Sequence, residues 1–133
     1  MEGLLGQIRK VPGRGSGRDM SKEIQVSVRQ EGVIPVIDIG GDVTATTGGA
    51  IEEAYRNVSA TGSLKILLLF SKESYINSGG IAILIGIVSE GRKREQEIRM
   101  AGLSDHFQKI FHMVGITKYS RIFSSEEMAI RDF

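Results

Sequence analysis

A chain of 133 residues with 41% hydrophobic content can fill one core, so a single domain that needs no metal or disulfide is expected. Charge is balanced, 17 Lys+Arg against 16 Asp+Glu for a formal net charge of +1, which argues against a purely electrostatic binder of nucleic acid or anionic membrane. The lack of any Cys removes disulfide scaffolds, thiolate zinc sites, iron–sulfur clusters and cysteine nucleophiles.

Residues 1–20 differ from the rest. They carry five Gly, Pro12 and four basic residues (Arg9, Lys10, Arg14, Arg18), with only Leu4, Leu5, Ile8 and Val11 as sizeable apolar groups. Such a segment buries too little surface to offset its ordering entropy and is expected to be a flexible tail, with the folded domain over 21–133. No signal-peptide h-region stands at the N-terminus, and the expected compartment is the cytoplasm. The longest uncharged run, Ser74 to Ser89, contains Asn77, Ser78 and three Gly and is too short for a membrane span, so no membrane insertion is expected.

Ile24, Val26 and Val28 alternate with polar residues, the period of a strand with one wet face. Gln30-Glu31-Gly32 turns the chain into a second run, Val33 to Ile39, in which Pro35 removes a ladder donor and suggests an edge or a bulge. Ala50, Ile51, Ala54, Tyr55 and Val58 fall at helical spacing, and Gly62 is placed to stop that helix. Leu64 to Phe70 is nearly all apolar, as a central strand covered on both faces would be. Ile81 to Val88 is β-branched and apolar, yet it continues without a turn signal to Glu95; that length predicts a helix whose first half is buried. Ile98 to Ala101 forms a short strand. Ser104-Asp105 then opens a helix with Phe107, Ile110, Phe111 and Val114 on one face and Gly115 at its end. Arg121 to Phe123 is a last strand, and Ser124 with Glu127 reads as a capping box for a final helix. Alternation of this kind predicts βαβ crossovers and a mostly parallel sheet with helices against it.

The stretch Ser74-Tyr75-Ile76-Asn77-Ser78-Gly79-Gly80-Ile81 links the central strand to the long helix, beyond the carboxyl end of a strand where α/β proteins place their sites. Ser78 falls at or next to the N-cap, where its hydroxyl can serve as the cap. The same geometry would accept a phosphate, since a helix N-terminus favours an anion. Gly79 and Gly80 lack side chains, so a second backbone or a nucleotide phosphate could approach closely. Asp42, in the loop before the first helix, is open to either a turn-forming or a binding role. Neither a Gly-x-Gly-x-x-Gly fingerprint, a Walker loop nor a nucleophile elbow is present. Ser104, Asp105 and His106 point different ways from one helix start and make no triad, and His106 and His112 lie six apart, off a shared face. No cofactor, metal or catalytic residue is expected.

The run Tyr-Ile-Asn-Ser-Gly-Gly-Ile (75–81), the earlier Asp-Ile-Gly-Gly-Asp-Val (38–43) and the later Ala-Gly-Leu-Ser-Asp-His-Phe-Gln-Lys-Ile-Phe (101–111) resemble, in order, the STAS family of bacterial anti-sigma factor antagonists. The resemblance covers about residues 21–133. It implies an α/β fold with a mixed four- or five-stranded sheet and about four helices packed mainly on one side. It further implies a non-enzymatic regulator that binds an anti-sigma factor which is also a serine kinase of the histidine-kinase-like ATPase fold. Phosphorylation of a serine at the start of the second helix, here Ser78, breaks that complex, and a serine phosphatase reverses it. Asp42, Thr44, Tyr75, Asn77, Gly79, Gly80 and Ile81 are then the expected partner-binding residues. The family usually has Asp where this chain has Asn77, often Ser or Thr where it has Gly79, and an acid where it has Leu69. The alternative is an unphosphorylated STAS module that senses a nucleotide or lipid or serves a lipid-transport complex.

Overall fold

The computed structural model describes residues 7–11 and 24–133. Their order is β1 (Gln7–Val11), β2 (Ile24–Glu31), β3 (Ile34–Gly40), α1 (Gly48–Ala60), β4 (Lys65–Phe70), α2 (Ser78–Lys93), β5 (Glu97–Ala101), α3 (Asp105–Met113), a short 3-10 turn (Ile116–Lys118), β6 (Arg121–Phe123) and α4 (Glu126–Arg131). The strands form one mixed sheet in the order β1-β2-β3-β4-β5-β6, antiparallel as far as β3 and parallel from there on.

Five of these strands and all four helices answer to the sequence pattern. β1 does not: it lies inside the segment expected to be a flexible tail, and the rest of 1–20 lies outside the described residues. Its pairing, Gln7↔Val28 to Val11↔Ile24, covers the outer edge of β2 through backbone hydrogen bonds, which demand little of side-chain composition. The β2–β3 turn is Gly32-Val33, with Gly32 at φ +64, a conformation glycine takes at little cost. Pro35 marks neither an edge nor a bulge. β3 is internal, and Pro35 stands one position before the β3–β4 ladder opens at Val36↔Leu67, so the donor it lacks falls at the ladder's end.

Side chains alternate across β3 and β4 and feed two cores. Ile37, Ile39, Ile66, Leu68 and Phe70 join the larger one, roofed by α1, α2 and α3 through residues such as Ile51, Val58, Leu84, Val88 and Phe111. Ile34, Val36 and Leu67 face the other way and are covered by Ala129 and Ile130 of α4, with Leu69, Phe123 and Phe133 beside them. The helices thus lie mainly on one side. α4 is held to its side by Arg99, only 3% exposed, whose guanidinium donates to Ala129 O (2.8 Å) and Asp132 O (3.3 Å) and pairs with Glu97 (2.9 Å). Its guanidinium carbon also lies 4.2 Å from the Phe133 ring centroid. α4 opens one residue later than the sequence suggests: Ser125, not Ser124, accepts from Met128 N (3.2 Å).

α2 is a helix, as its length predicts, but its first half is not buried as a block. Gly80, Leu84, Ile87, Val88 and Gly91 form one buried stripe, and Ala82, Ile85, Gly86 and Ser89 face outward. An apolar run conceals its own outer face. No helix among the described residues is long and apolar enough to cross a membrane.

Candidate functional site

The loops after β3, β4 and β5 gather at one end of the sheet because those strands are parallel. Beyond the sheet proper the first two stay joined: Val43 bridges Ile76, Val43 N donates to Tyr75 O (2.9 Å), and Asn77 N donates to Val43 O (3.1 Å). Asp42 adds its carboxylate, which accepts from Tyr75 N (3.2 Å). Thr44 is half-buried and engaged locally; its Oγ1 accepts from Thr46 N (3.2 Å) and Thr47 N (3.1 Å), while Thr47 Oγ1 donates to Asp42 O (2.8 Å). The loop 41–47 is therefore an internally bonded platform against which the start of α2 rests.

The start of α2 is built by Asn77, whose Oδ1 accepts from Gly80 N at 2.9 Å. Asn caps a helix about as well as Asp, so the family's usual acid is replaced without loss of the cap but with loss of a charge. Ser78 is consequently not the cap. It is the first residue of the helix, it is exposed, and its Oγ makes no hydrogen bond among the described residues. The backbone N–H groups of Ser78 and Gly79 likewise meet no acceptor among the described residues, as expected of a helix's first turn.

Gly79 and Gly80 pack against their own chain. The space their missing side chains leave is filled from within the molecule: a Cβ on Gly80 would lie 2.2 Å from Val43 O, and one on Gly79 2.9 Å from Ala45 Cβ. The glycines let α2 press onto the 41–47 platform. Gly80 is buried, and Ile81 is half-buried and packs against the larger core, so both contribute position more than surface. Leu69 points to the α4 side of the sheet, the face opposite α2.

Tyr75 is 58% exposed, and its ring meets Phe107 edge to face at 5.8 Å between centroids. That contact brings the start of α3, with exposed Asp105 and His106, beside the β4–α2 loop. Local pattern held no sign of it, since the two rings are 32 residues apart in the chain. In the same loop Ser71 Oγ donates to Glu73 (2.6 Å), which, with a backbone hydrogen bond, lowers the Glu73 pKa. Of the predicted site residues, the structure therefore brings Tyr75 and Ser78 together at the surface, with Asp42, Thr44, Asn77, Gly79, Gly80 and Ile81 as their support. Among the described residues no group of three or more His, Asp or Glu is arranged to hold a metal ion.

The chain is similar to the anti-sigma-B factor antagonist of Listeria monocytogenes, 24% identical over 98 residues that cover 74% of this chain and 85% of that one. The anti-sigma-B factor antagonist of Staphylococcus aureus is 22% identical over 80 residues, 60% of this chain and 74% of its own. An anti-sigma factor antagonist from Mycobacterium paratuberculosis has the same fold, with a TM-score of 0.71 at 18% identity over 82% of this chain and 92% of that one. So does the phosphorylated form of the Bacillus cell fate determinant SpoIIAA, with a TM-score of 0.60 at 17% identity over 80% of this chain and 97% of that one. The model of the STAS domain family matches residues 25–129, from β2 into α4. Over that span, with the mixed sheet and its helices in the same order, the chain belongs to the STAS domain family.

Proposed function

We propose that this protein is an anti-sigma factor antagonist, a binding protein without catalysis, whose docking face surrounds the start of α2 and is switched by phosphorylation of Ser78. The reading is supported by the names of its relatives and, within the molecule, by one observation: an exposed hydroxyl at the first turn of α2 that the fold does not use. Because Asn77 provides the cap, a phosphate on Ser78 displaces no structural bond. It would add about −1.5 to −2 charges at a helix end whose partial positive charge favours an anion, so the domain stays folded. What changes is the docking face. Tyr75 offers apolar surface, and burying a doubly charged group beside it without a matching cation disfavours the complex; about 1.4 kcal/mol already lowers affinity tenfold. The unphosphorylated protein binds the anti-sigma factor, a serine kinase of the histidine-kinase-like ATPase class, and frees the sigma factor; the phosphorylated one lets go, and a serine phosphatase resets it.

The test is incubation of the purified protein with candidate kinases of that class and ATP, followed by mass spectrometry of the peptide containing Ser78. A single phosphate on Ser78 is expected. Phosphate on another residue, or none with any kinase, contradicts the reading.

A further inference from the structure

At the far end of α2, about 21 Å from Ser78 by the rise of the helix, lies a second exposed surface of different chemistry. Met113 is 82% exposed, Val114 47% and Tyr119 51%, along the stretch that runs from the end of α3 past the 3-10 turn, and Ile85, 37% exposed, lies on α2. Ile85 and Arg92 are seven apart and share a helix face, and the Arg92 guanidinium lies 4.8 Å over the Tyr119 ring. Lys118 adjoins that ring in the chain. Neither Arg92 nor Lys118 has a carboxylate partner among the described residues, whereas neighbouring Arg94 is paired with Glu90 (3.0 Å). No Asp or Glu occurs from His106 to Ser125. The corner thus joins exposed apolar groups to cations that no carboxylate of the described residues pairs.

We propose that this corner is a second docking surface, for an acidic amphipathic segment of a protein partner. Tyr, Met and Arg are the residue types enriched at the cores of protein interfaces, and Lys belongs to the rim. An Arg seated over an aromatic ring still has donors to offer a carboxylate in two parallel hydrogen bonds, while Met113, Val114 and Ile85 take the segment's apolar side chains. A bilayer has no use for so directional a donor, and two unpaired cations make a narrow field for it. The surface is separate from Ser78, and its test is independent of phosphorylation.

The full-length protein, labelled with nitrogen-15, is titrated with a synthetic helical peptide carrying leucines on one face and glutamates on its flanks. A matched peptide with lysines for glutamates and vesicles of phosphatidylglycerol serve as further probes. The glutamate peptide is expected to shift amide signals of 85–92 and 113–119, and the lysine peptide to leave them in place. Arg92→Glu combined with Lys118→Glu weakens the binding about tenfold. Met113→Ser, at a position so exposed that the fold is indifferent to it, weakens it about threefold. Arg131→Glu, half that charge change and placed on α4, has no effect. Shifts confined to the loops 41–47 and 71–77, equal binding of both peptides, binding of the vesicles alone, or self-association through the corner would each overturn the proposal.

Discussion

Serine stands at the start of three helices and does two different things. At α3 and α4 it is the cap: Ser104 Oγ accepts from Phe107 N and Ser125 Oγ from Met128 N, each at 3.2 Å. At α2 the cap is Asn77, and the serine one residue later is spared. The residue type is the same, and a shift of one position along the helix start decides whether its oxygen is engaged in the fold or left exposed. An unengaged serine beside an intact cap can gain a phosphate at no structural cost, which a capping serine could not.

Substitutions at these helix starts test the contrast in order of size. Gly80→Ala has the largest effect, about 1–3 kcal/mol in denaturant unfolding, because the new methyl meets the carbonyl of Val43 and backbone must move. Asn77→Ala and Ser104→Ala each cost about 1 kcal/mol, the ordinary loss of a cap. Asn77→Asp costs nothing measurable, since the cap survives and the charge suits the helix end. Ser125→Ala costs about 0.5 kcal/mol, less because Arg99 also holds the short α4. Ser78→Ala changes stability by less than about 0.5 kcal/mol, as expected of a surface side chain that bonds to nothing. A cost at Ser78 equal to that at Ser104 would erase the distinction on which the switch rests.

The larger part of the fold was legible in the sequence because period and length agreed: alternation in β2, a continuous apolar run in β4, and a run in α2 too long for a strand. β1 was not, since its pairing is a backbone matter that composition does not betray. The cap of α4 slipped from Ser124 to Ser125 because two adjacent serines satisfy the same pattern. At the site, the motif named Ser78, yet which of Asn77 and Ser78 would cap α2 was a question of one residue's φ and ψ. The glycines carry a related ambiguity: a missing side chain signals close approach without saying by what, and where the side chains would be lie Val43 and Ala45 of the same chain. The Tyr75–Phe107 contact joins two motifs that sequence reading kept apart.

The most direct test of the central claim is a calorimetric titration of the partner anti-sigma factor with Ser78→Ala and Ser78→Asp proteins, both checked for an unchanged fold. The alanine variant is expected to bind as the unmodified protein does, and the aspartate variant at least about tenfold more weakly. Equal affinities for the two would contradict the account.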